Sequence, residues 1–422
     1  MVVSQEMMQG YFPFLQDKTC VYLDSAASAQ KFGKVLDVEQ YWYMHYANIH
    51  RGMYPLSQHI SEAYAQARQQ VAHFIGAQGN EVIFTSGTTQ AINMLAYSIP
   101  SLLQKQKYVQ NMQHIQDNKD HTQMRTDIVI SVFEHHAQMV VWQQFAKRHN
   151  MNLIVVHDKQ GCFDYDAFVQ AITPRTALVV LTHMSNVTGE IMPVQAVCTH
   201  AHAQGAYVLV DAAQIVAHQH INVAELDCDF LCFSGHKLGA STGIGVLYGK
   251  QALLETMDPA FFGGDMVSHV TEQDAVFNMI PTKFEAGTPP IVQAIGLATA
   301  IECIQDIGMG TITEHIHALH TYAREQCKLL EDTHVFSAPH PTSIISLGWD
   351  DIHAHDVAVI LAQHNICVRA GHHCAMPFIA RLHSKGVLRI SMYMYTTTQD
   401  IDRCIQVLKE AIQTLRKYVK VK

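Results

Sequence analysis

The chain has 422 residues, of which 48% are hydrophobic, and carries a formal net charge of −9 without a long basic stripe, which argues against nucleic-acid binding. No apolar run reaches the roughly 18 residues of a membrane span. The first residues lack the basic region followed by an apolar region that is typical of a signal peptide. The composition is that of an ordinary soluble protein, and the length is sufficient for one large domain plus a smaller one.

Short runs rich in Val, Ile and Leu alternate with helical patterns, which predicts an α/β fold with a mostly parallel, seven-stranded-type sheet between helices. The predicted strands are EVIFT (81–85), DIVISVF (127–133), NLIVVH (152–157), ALVVLTH (177–183), AYVLVD (206–211), DFLCFS (229–234) and GIGVLYG (243–249). The predicted helices cover 89–99, 137–149, 291–306, 311–331, 354–364 and 399–417.

The order of these elements predicts two domains. We expect a large domain over 30–290 and a smaller C-terminal α/β domain over 291–422, with the strands SIISLG and VLRISM. Residues 1–29 form an N-terminal segment that we expect to pack with the small domain. The polar, Gln-rich stretch 104–126 is weakly periodic and is interpreted as an exposed insertion between a helix and the next strand.

Ten cysteines are irregularly spaced and include no CxxC pair, which favours reduced thiols and a cytoplasmic protein over a disulfide framework. One of them, Cys374, lies in RAGHHCAMP (369–377), beside His372 and His373. Taken alone, this stretch fits a metal site, a reactive thiol or a buried thiol with polar neighbours. The metal interpretation is weak because adjacent residues rarely ligate one ion and no second ligand cluster is evident.

Polar residues collect where the predicted strands end, which is where open parallel sheets bind ligands. The stretch TSGTT (85–89) opens a helix, whose free N–H groups and hydroxyls suit a phosphate. Asp211 and Lys237 follow two separate strands at the same edge. Pyridoxal phosphate needs this combination, because a lysine binds it covalently and an aspartate keeps its pyridine nitrogen protonated.

With these residues in place, the sequence resembles the class V aminotransferase family, and more closely its SufS-type cysteine desulfurases. These are pyridoxal phosphate enzymes of fold type I. The matching stretches lie between residues 22 and 395 and are highly specific in this order. They are YLDSAASAQK, HRGMYPLS, SGTTQAIN, FEHHAQ, THMSNVTGE, VLVDAAQ, LDCDFLCFSGHK, FEAGTP, VRAGHHCAMP and LRISMYMY.

The resemblance implies a role for each matching residue. Lys237 would bind the cofactor, His135 would stack on its ring, and Cys374 would be the nucleophile. Other cofactor contacts would come from Thr88, Thr89, Asn186, Asp211, Gln214, Ser234, His236 and, across a homodimer interface, Thr288. The substrate carboxylate would bind Arg389, with Asn186 beside it and with Arg369, His50 and Arg51 at the entrance.

The reaction implied is the conversion of L-cysteine to L-alanine. The freed Lys237 removes the Cα proton, and the Cys374 thiolate takes the sulfur as a persulfide. The short loop around Cys374 implies that a sulfur acceptor of the SufE-like or SufU-like kind enters the site, with the sulfur destined for iron–sulfur cluster assembly. Our own hypothesis is that His372 and His373 lower the pKa of the thiol or shuttle protons.

Three departures from the family pattern stand out: Gly239-Ala240-Ser241 after SGHKL, Gln138 in EHHAQ, and the 104–126 stretch. Alternatives also remain open. A selenocysteine lyase would use nearly the same site, while an aminotransferase or kynureninase-like hydrolase needs no cysteine at this position. A sulfur-trafficking scaffold without activity is less compatible with intact Lys237, Asp211 and Cys374.

Overall fold

The computed structural model describes residues 5–16, 20–117 and 125–419, and it has the α/β architecture predicted from the sequence. Its helices are α1 Gln5–Tyr11, α2 Gly33–Met44, α3 Pro55–Phe74, α4 Thr88–Asp117, α5 His136–His149, α6 Tyr165–Ala171, α7 Val194–Ala203, α8 Val223–Leu226, α9 Gln251–Thr256, α10 Ile291–Ile307, α11 Met309–Cys327, α12 Ala354–Gln363, α13 Met376–Arg381 and α14 Thr398–Val419. Its strands are β1 Val21–Tyr22, β2 Val82–Thr85, β3 Asp127–Ser131, β4 Asn152–Val156, β5 Thr176–Thr182, β6 Tyr207–Asp211, β7 Phe230–Ser234, β8 Gly245–Gly249, β9 Val267–Val270, β10 Ala275–Phe277, β11 His334–Phe336, β12 Ile344–Gly348, β13 Ile366–Cys367, β14 Arg369–Gly371 and β15 Val387–Ser391.

A seven-stranded sheet forms the centre of the larger unit, in the order β2-β8-β7-β6-β5-β3-β4. The neighbours among β7, β6, β5, β3 and β4 are parallel, and β8 runs antiparallel to both β7 and β2. Every residue of β3, β5 and β7 is buried, as expected of strands covered by helices on both faces. Parallel strands end at one edge, so this topology brings the segments after β3, β5, β6 and β7 together.

A second sheet has four strands in the order β11-β12-β15-β14, with all three neighbouring pairs antiparallel. Helices α12 and α14 pack together in the core of this smaller unit. The N-terminal segment contacts it, because β1 pairs in parallel with β13 and Asp24 bridges to Ser391. The segment also contacts the larger unit, where the ring of Phe12 lies 4.5 Å from that of Phe32. The division into 30–290 and 291–422 stays a prediction.

The prediction for the polar stretch 104–126 was wrong about where the preceding helix ends. Helix α4 continues through these residues to Asp117, which makes it 30 residues long. The stretch contains no glycine or proline up to that point, and its unbranched Gln, Lys and Met residues are good helix formers. Weak hydrophobic periodicity therefore did not mean the absence of a helix. Residues 118–124 lie outside the described residues.

Over the described ranges, no single helix is both long enough and apolar enough to cross a membrane. The pair α10 and α11 meets these criteria only jointly, and the two helices are bent by 74° relative to each other.

Candidate active site

A cavity of about 330 Å³ lies at the edge of the large sheet where β3, β5, β6 and β7 end. Two further segments reach it from the smaller unit, one around β14 and one on β15. The cavity brings together most of the residues that the sequence singled out. These are Thr88, Thr89, His135, Asn186, Asp211, Gln214, Ser234, His236, Lys237, Arg369, Cys374 and Arg389.

One end of the cavity is formed by the start of α4 and the end of β7. The Thr88 backbone N–H donates to Ser234 Oγ at 2.8 Å, and the two hydroxyl oxygens lie 2.7 Å apart. Gly87 just before the helix has φ +151°, and a Cβ at Gly245 would lie 2.4 Å from its Cα. Position 245 therefore requires glycine, because β8 passes close to the loop that precedes α4. Hydroxyls at a helix N-terminus make this end suitable for a phosphate.

Lys237 and Asp211 form the charged centre of the cavity. Lys237 ends a short 3-10 helix after β7, and Asp211 is the last residue of β6. Burial lowers the pKa of Lys237 to about 8, although the attraction of Asp211 opposes this shift. Burial raises the pKa of Asp211, against the Ala213 N–H that donates to it at 2.9 Å and the charge of Lys237. A lysine amine with a lowered pKa is partly unprotonated near neutral pH and can act as a nucleophile or base.

His135 lines the cavity as a neutral ring. Its Nδ1 accepts the Ala137 N–H at 3.1 Å, which caps α5. Burial, followed by the positive charge of Lys237, lowers its pKa to about 4. The preceding Glu134 fixes the position, because it accepts from Ser131 at 2.7 Å and from the Thr182 N–H at 2.8 Å. A neutral imidazole held in this way can stack on an aromatic cofactor.

The two amides predicted near the cofactor's ring oxygen are both engaged by main-chain carbonyls. Asn186 Nδ2 donates to the His373 carbonyl at 2.7 Å, and Gln214 Nε2 donates to the Ala26 carbonyl at 3.0 Å. Each side chain therefore connects the large sheet to a neighbouring segment while lining the cavity. Their roles toward a cofactor stay predictions.

Two arginines and one aspartate lie at the other end of the cavity. Arg389 on β15 is buried, and its Nη1 donates to the Asn186 carbonyl at 2.9 Å. Arg369 on β14 is half-exposed and pairs with Asp24 through Nε and Nη2, at 3.2 and 2.9 Å. Asp24 also accepts a longer bond of 3.4 Å from Arg389. A positively charged end of this kind suits a carboxylate.

Cys374 is exposed and lies in a tight four-residue connection between β14 and α13. His373 and Cys374 have φ of 49° and 53°, in the left-handed region that non-glycine residues rarely adopt. His136 at the start of α5 anchors this turn: its backbone N–H donates to the Cys374 carbonyl at 2.7 Å, and its ring Nε2 accepts the Met376 N–H at 3.1 Å. The thiol is thus presented to the cavity by an anchored turn.

The two histidines beside Cys374 differ in burial, since His373 is buried and His372 is exposed. The ring of His373 is buried and bonds the Val387 carbonyl through Nε2 at 3.0 Å. Burial, followed by the positive charge of Arg389, lowers its pKa to about 3. A neutral His373 ring favours proton transfer over a positive charge as its contribution to the thiol, and its role stays a hypothesis. His372 is exposed, and its role stays a hypothesis.

Three predicted residues lie outside this cavity. Thr288 lines a separate cavity of about 470 Å³ between the end of β2 and the start of α10. His50 and Arg51 face Asp265, at 3.9 and 3.5 Å. The single chain does not bring these residues to Lys237.

Two of the departures from the family pattern have local structural partners. Gly239 has φ +92°, and a Cβ there would lie 2.8 Å from the Phe32 ring, so the loop after Lys237 requires glycine. Ser241 in the same loop donates to Glu39 on α2 at 2.6 Å. Gln138 is buried and accepts from the Trp142 indole N–H at 2.7 Å. These contacts fasten the loop and α5 without touching the cavity.

Sequence reasoning gave no role to Asp24, Glu134 or His136. Asp24 stands in YLDSAAS directly after β1, and a carboxylate at the end of a strand was the available signal. His136 follows the more prominent His135, and only the folded turn shows that its ring accepts from the Met376 N–H.

Replacing His136 with alanine removes the ring acceptor for the Met376 N–H. We expect a looser Cys374 turn and a fall in kcat of about tenfold or more, because small displacements of a reacting group are costly. Steady-state kinetics together with amide exchange at Met376 measures both effects. His149→Ala at the exposed far end of α5 is the matched control. Unchanged kcat with faster exchange at Met376 would show that the turn need not be rigid.

Comparisons with known proteins show the family to which the chain belongs. The family model for class V aminotransferases matches residues 21–404. The chain belongs to the class V aminotransferase family. Its class V relatives include a probable cysteine desulfurase of Vibrio cholerae, 39% identical over 98% of this chain and 100% of the relative. Another, from Halalkalibacterium halodurans, is 39% identical over 93% of this chain and 94% of the relative.

Solved structures of cysteine desulfurases are also similar to this chain. The cysteine desulfurase CsdA of Escherichia coli, in a form described as S-sulfonic acid, has a TM-score of 0.86 at 34% identity and covers 98% of this chain and 100% of its own. A cysteine desulfurase of Thermococcus onnurineus has a TM-score of 0.87 at 32% identity, over 97% of this chain and 98% of its own. The family expected from the sequence motifs is confirmed, and these neighbours support its cysteine desulfurase branch.

Proposed function

We propose that this class V enzyme is a pyridoxal phosphate-dependent cysteine desulfurase that converts L-cysteine to L-alanine and takes the sulfur onto Cys374. The observation that carries the proposal is the meeting of Lys237, Asp211, Arg389 and the Cys374 turn in one cavity. An aminotransferase needs the first three groups only. The anchored, exposed thiol is the addition that favours sulfur removal.

The donors of the cavity fit pyridoxal phosphate. The hydroxyls of Thr88 and Ser234 at the α4 N-terminus would hold its phosphate, Asp211 its pyridine nitrogen, and Lys237 its reactive carbon. The neutral ring of His135 would lie on its face. When bound, the cofactor supplies an electron sink for the charge that develops at the substrate Cα.

The protein's own residues perform the remaining work. Arg389 binds the substrate carboxylate. Its Nε is available for this contact, because it has no hydrogen-bond partner among the described residues. Lys237 accepts the Cα proton. The Cys374 thiolate attacks the substrate sulfur, so an S–S bond forms, the Cβ–S bond breaks, and Cβ takes up a proton. The net change is one thiol and L-cysteine becoming one persulfide and L-alanine.

The persulfide must then pass to an acceptor. Because only four residues join β14 to α13 and His136 anchors them, Cys374 cannot travel far on its own. Its exposure supports delivery to a protein that approaches the entrance, such as a SufE-like or SufU-like acceptor serving iron–sulfur cluster assembly. We propose a cytoplasmic location for this exchange because all ten cysteines are free thiols.

We propose that the enzyme acts as a homodimer. Large exposed apolar side chains concentrate in residues 36–56 and 261–279, and His50 and Arg51 meet Asp265 between the two segments. An exposed apolar patch of this kind is typical of a surface that binds another protein. In a dimer, Thr288, His50 and Arg51 of one copy would lie near the active-site cavity of the other copy. Sedimentation should give twice the chain mass of 47.3 kDa, and Phe262→Asp should shift the protein toward the monomer. A wild-type monomer at micromolar concentration would contradict this proposal.

The function is tested by incubating the holoprotein with L-cysteine and a reducing agent that accepts persulfide sulfur. We expect one L-alanine for each sulfide released. Pyruvate or a keto acid in place of L-alanine would contradict the proposal. L-selenocysteine in a parallel assay compares the two substrates directly.

A further inference from the structure

Cys20 and Cys367 lie side by side where the N-terminal segment joins the smaller unit. Strand β1 pairs in parallel with β13, and its register places Tyr22 beside Cys367. The Leu23 N–H donates to the Cys367 carbonyl at 2.9 Å, and Cys20 directly precedes this short ladder. The two cysteines are therefore distant in the chain and adjacent in the fold.

The two thiols share the outer face of this strand pair. Side chains alternate along a strand, and Leu23 and Ile366 are buried in the core of the smaller unit. The alternate positions, Cys20 and Cys367, therefore face away from that core, and both are partly exposed. Their side chains form a hydrogen bond with each other. Two sulfur atoms in contact on an accessible face can be joined as a disulfide.

The chemistry of the pair favours oxidation over metal binding. The described ranges contain no group of three His, Cys, Asp or Glu side chains arranged to hold a metal ion. Burial, followed by the Cys20 thiol beside it, raises the pKa of Cys367 to about 11, so Cys367 is protonated at neutral pH. The thiolate is the reactive form of cysteine, which assigns the first attack on an oxidant to Cys20.

The segment that follows Cys20 forms one wall of the active-site cavity. Tyr22 and residues 26–28 line the cavity, and Asp24 pairs with Arg369 at 2.9 Å on its far side. The ladder between β1 and β13 has only two residues on each strand. A covalent link at its start would therefore add substantially to what holds this wall against the smaller unit.

We propose that Cys20 and Cys367 form a reversible disulfide when a peroxide is present, and that this disulfide fastens the cavity wall to the smaller unit. The Cys20 thiolate attacks the O–O bond of hydrogen peroxide, which gives a sulfenic acid and hydroxide, and the hydroxide takes up the proton that Cys20 released. The Cys367 thiol then attacks the Cys20 sulfur, the S–O bond breaks, and water leaves as the S–S bond forms. Two thiols and one hydrogen peroxide become one disulfide and two waters. A thiol reductant reverses the oxidation.

The test is a tryptic map of the holoprotein after treatment with hydrogen peroxide, with the remaining thiols alkylated and no reductant added. Cys20 is the one cysteine of the tryptic peptide 19–31, and Cys367 is the one cysteine of the peptide 329–369. We expect these two peptides to be joined, at a mass two hydrogens below their sum, and to separate when a reductant is added.

A second measurement reports the fastening of the wall. Amide exchange at Leu23, whose N–H donates to the Cys367 carbonyl, should slow by at least about tenfold on oxidation, because the added cross-link opposes opening of the ladder. Cys367→Ser should lose both the link and the slower exchange. Cys162→Ser should keep both, and it is the matched control because Cys162 is an exposed cysteine outside the cavity.

Cys374 supplies an internal check, because trypsin cleaves after Arg369 and so separates it from Cys367. Its exposed thiol should be oxidised in the same sample. The proposal is overturned if Cys374 is oxidised while the two peptides stay separate, or if peptide 19–31 is joined to a third peptide. Equal slowing of exchange in Cys367→Ser would also overturn it. If Cys367→Ser does not fold, Cys20→Ser is used with the same expectation. Neither measurement needs substrate or turnover, so the result does not depend on the proposed function.

Discussion

Replacing Cys374 with alanine is expected to lower the release of L-alanine from L-cysteine by at least about a thousandfold, the scale seen when a nucleophile is removed. The other cavity residues do not depend on the thiol, so the visible absorption of the bound cofactor should persist. Activity would then be lost at the sulfur-transfer step alone. Stopped assays for L-alanine and sulfide, with a spectrum of the same sample, measure both.

Cys162 supplies a matched control, because it and Cys374 are the two exposed cysteines of the chain. It lies outside the active-site cavity, beside the ion pair of Asp158 and Arg381. Cys162→Ala should retain full release of L-alanine. Equal activity in Cys374→Ala and the wild type would eliminate the persulfide mechanism, and loss in both variants would point to general thiol chemistry.

Replacing Lys237 with alanine is expected to abolish the visible absorption band of the lysine-bound cofactor and to lower turnover by more than about a hundredfold. Both effects follow from one amine, which binds the cofactor covalently and then moves the Cα proton. Dialysis followed by an absorbance spectrum and a cofactor determination per chain gives the first result. An alanine assay gives the second.

Lys31 is the control, because burial lowers its pKa to about 8, as it does for Lys237. Its amine instead donates to the carbonyls of Ala29 and His236, at 2.9 and 3.1 Å, and does not line the cavity. Lys31→Met should keep the absorption band. If the band were lost in Lys31→Met and kept in Lys237→Ala, the lysine that binds the cofactor would be Lys31, and the assignment to Lys237 would be wrong.

The sequence was sufficient for the parts of the fold that hydrophobic periodicity encodes. The strands of the large sheet were located because each contains a run of Val, Ile, Leu or Phe, which in Phe230–Ser234 is buried and ends in a polar residue. The end of α4 was missed because the mostly polar residues 104–117 show no clear hydrophobic periodicity. Their helix propensity was nevertheless sufficient for a helix. Hydrophobic periodicity detects a helix only where apolar residues recur at the helical period, and it does not measure helix propensity.

For the site, the sequence identified side chains whose chemistry is unusual at a strand end, such as Lys237 and Asp211. It could not identify residues that act by holding another group. The contacts of Asp24 with Arg389 and of His136 with Met376 join positions far apart in the chain, and no local pattern encodes them. It also could not separate the exposed His372 from the buried His373, because the burial of that ring is a property of the folded turn.

The contact between Asp24 and Arg389 also bears on the order in which the site assembles during synthesis. The phosphate end closes between Thr88 and Ser234, 146 positions apart, within the large sheet. The substrate end joins positions 365 apart and requires β15 beside the segment after β1. A growing chain could therefore form the cofactor end well before it could hold a substrate. A nascent polypeptide that captured the cofactor early would be unable to start the reaction until almost all of its length had been made.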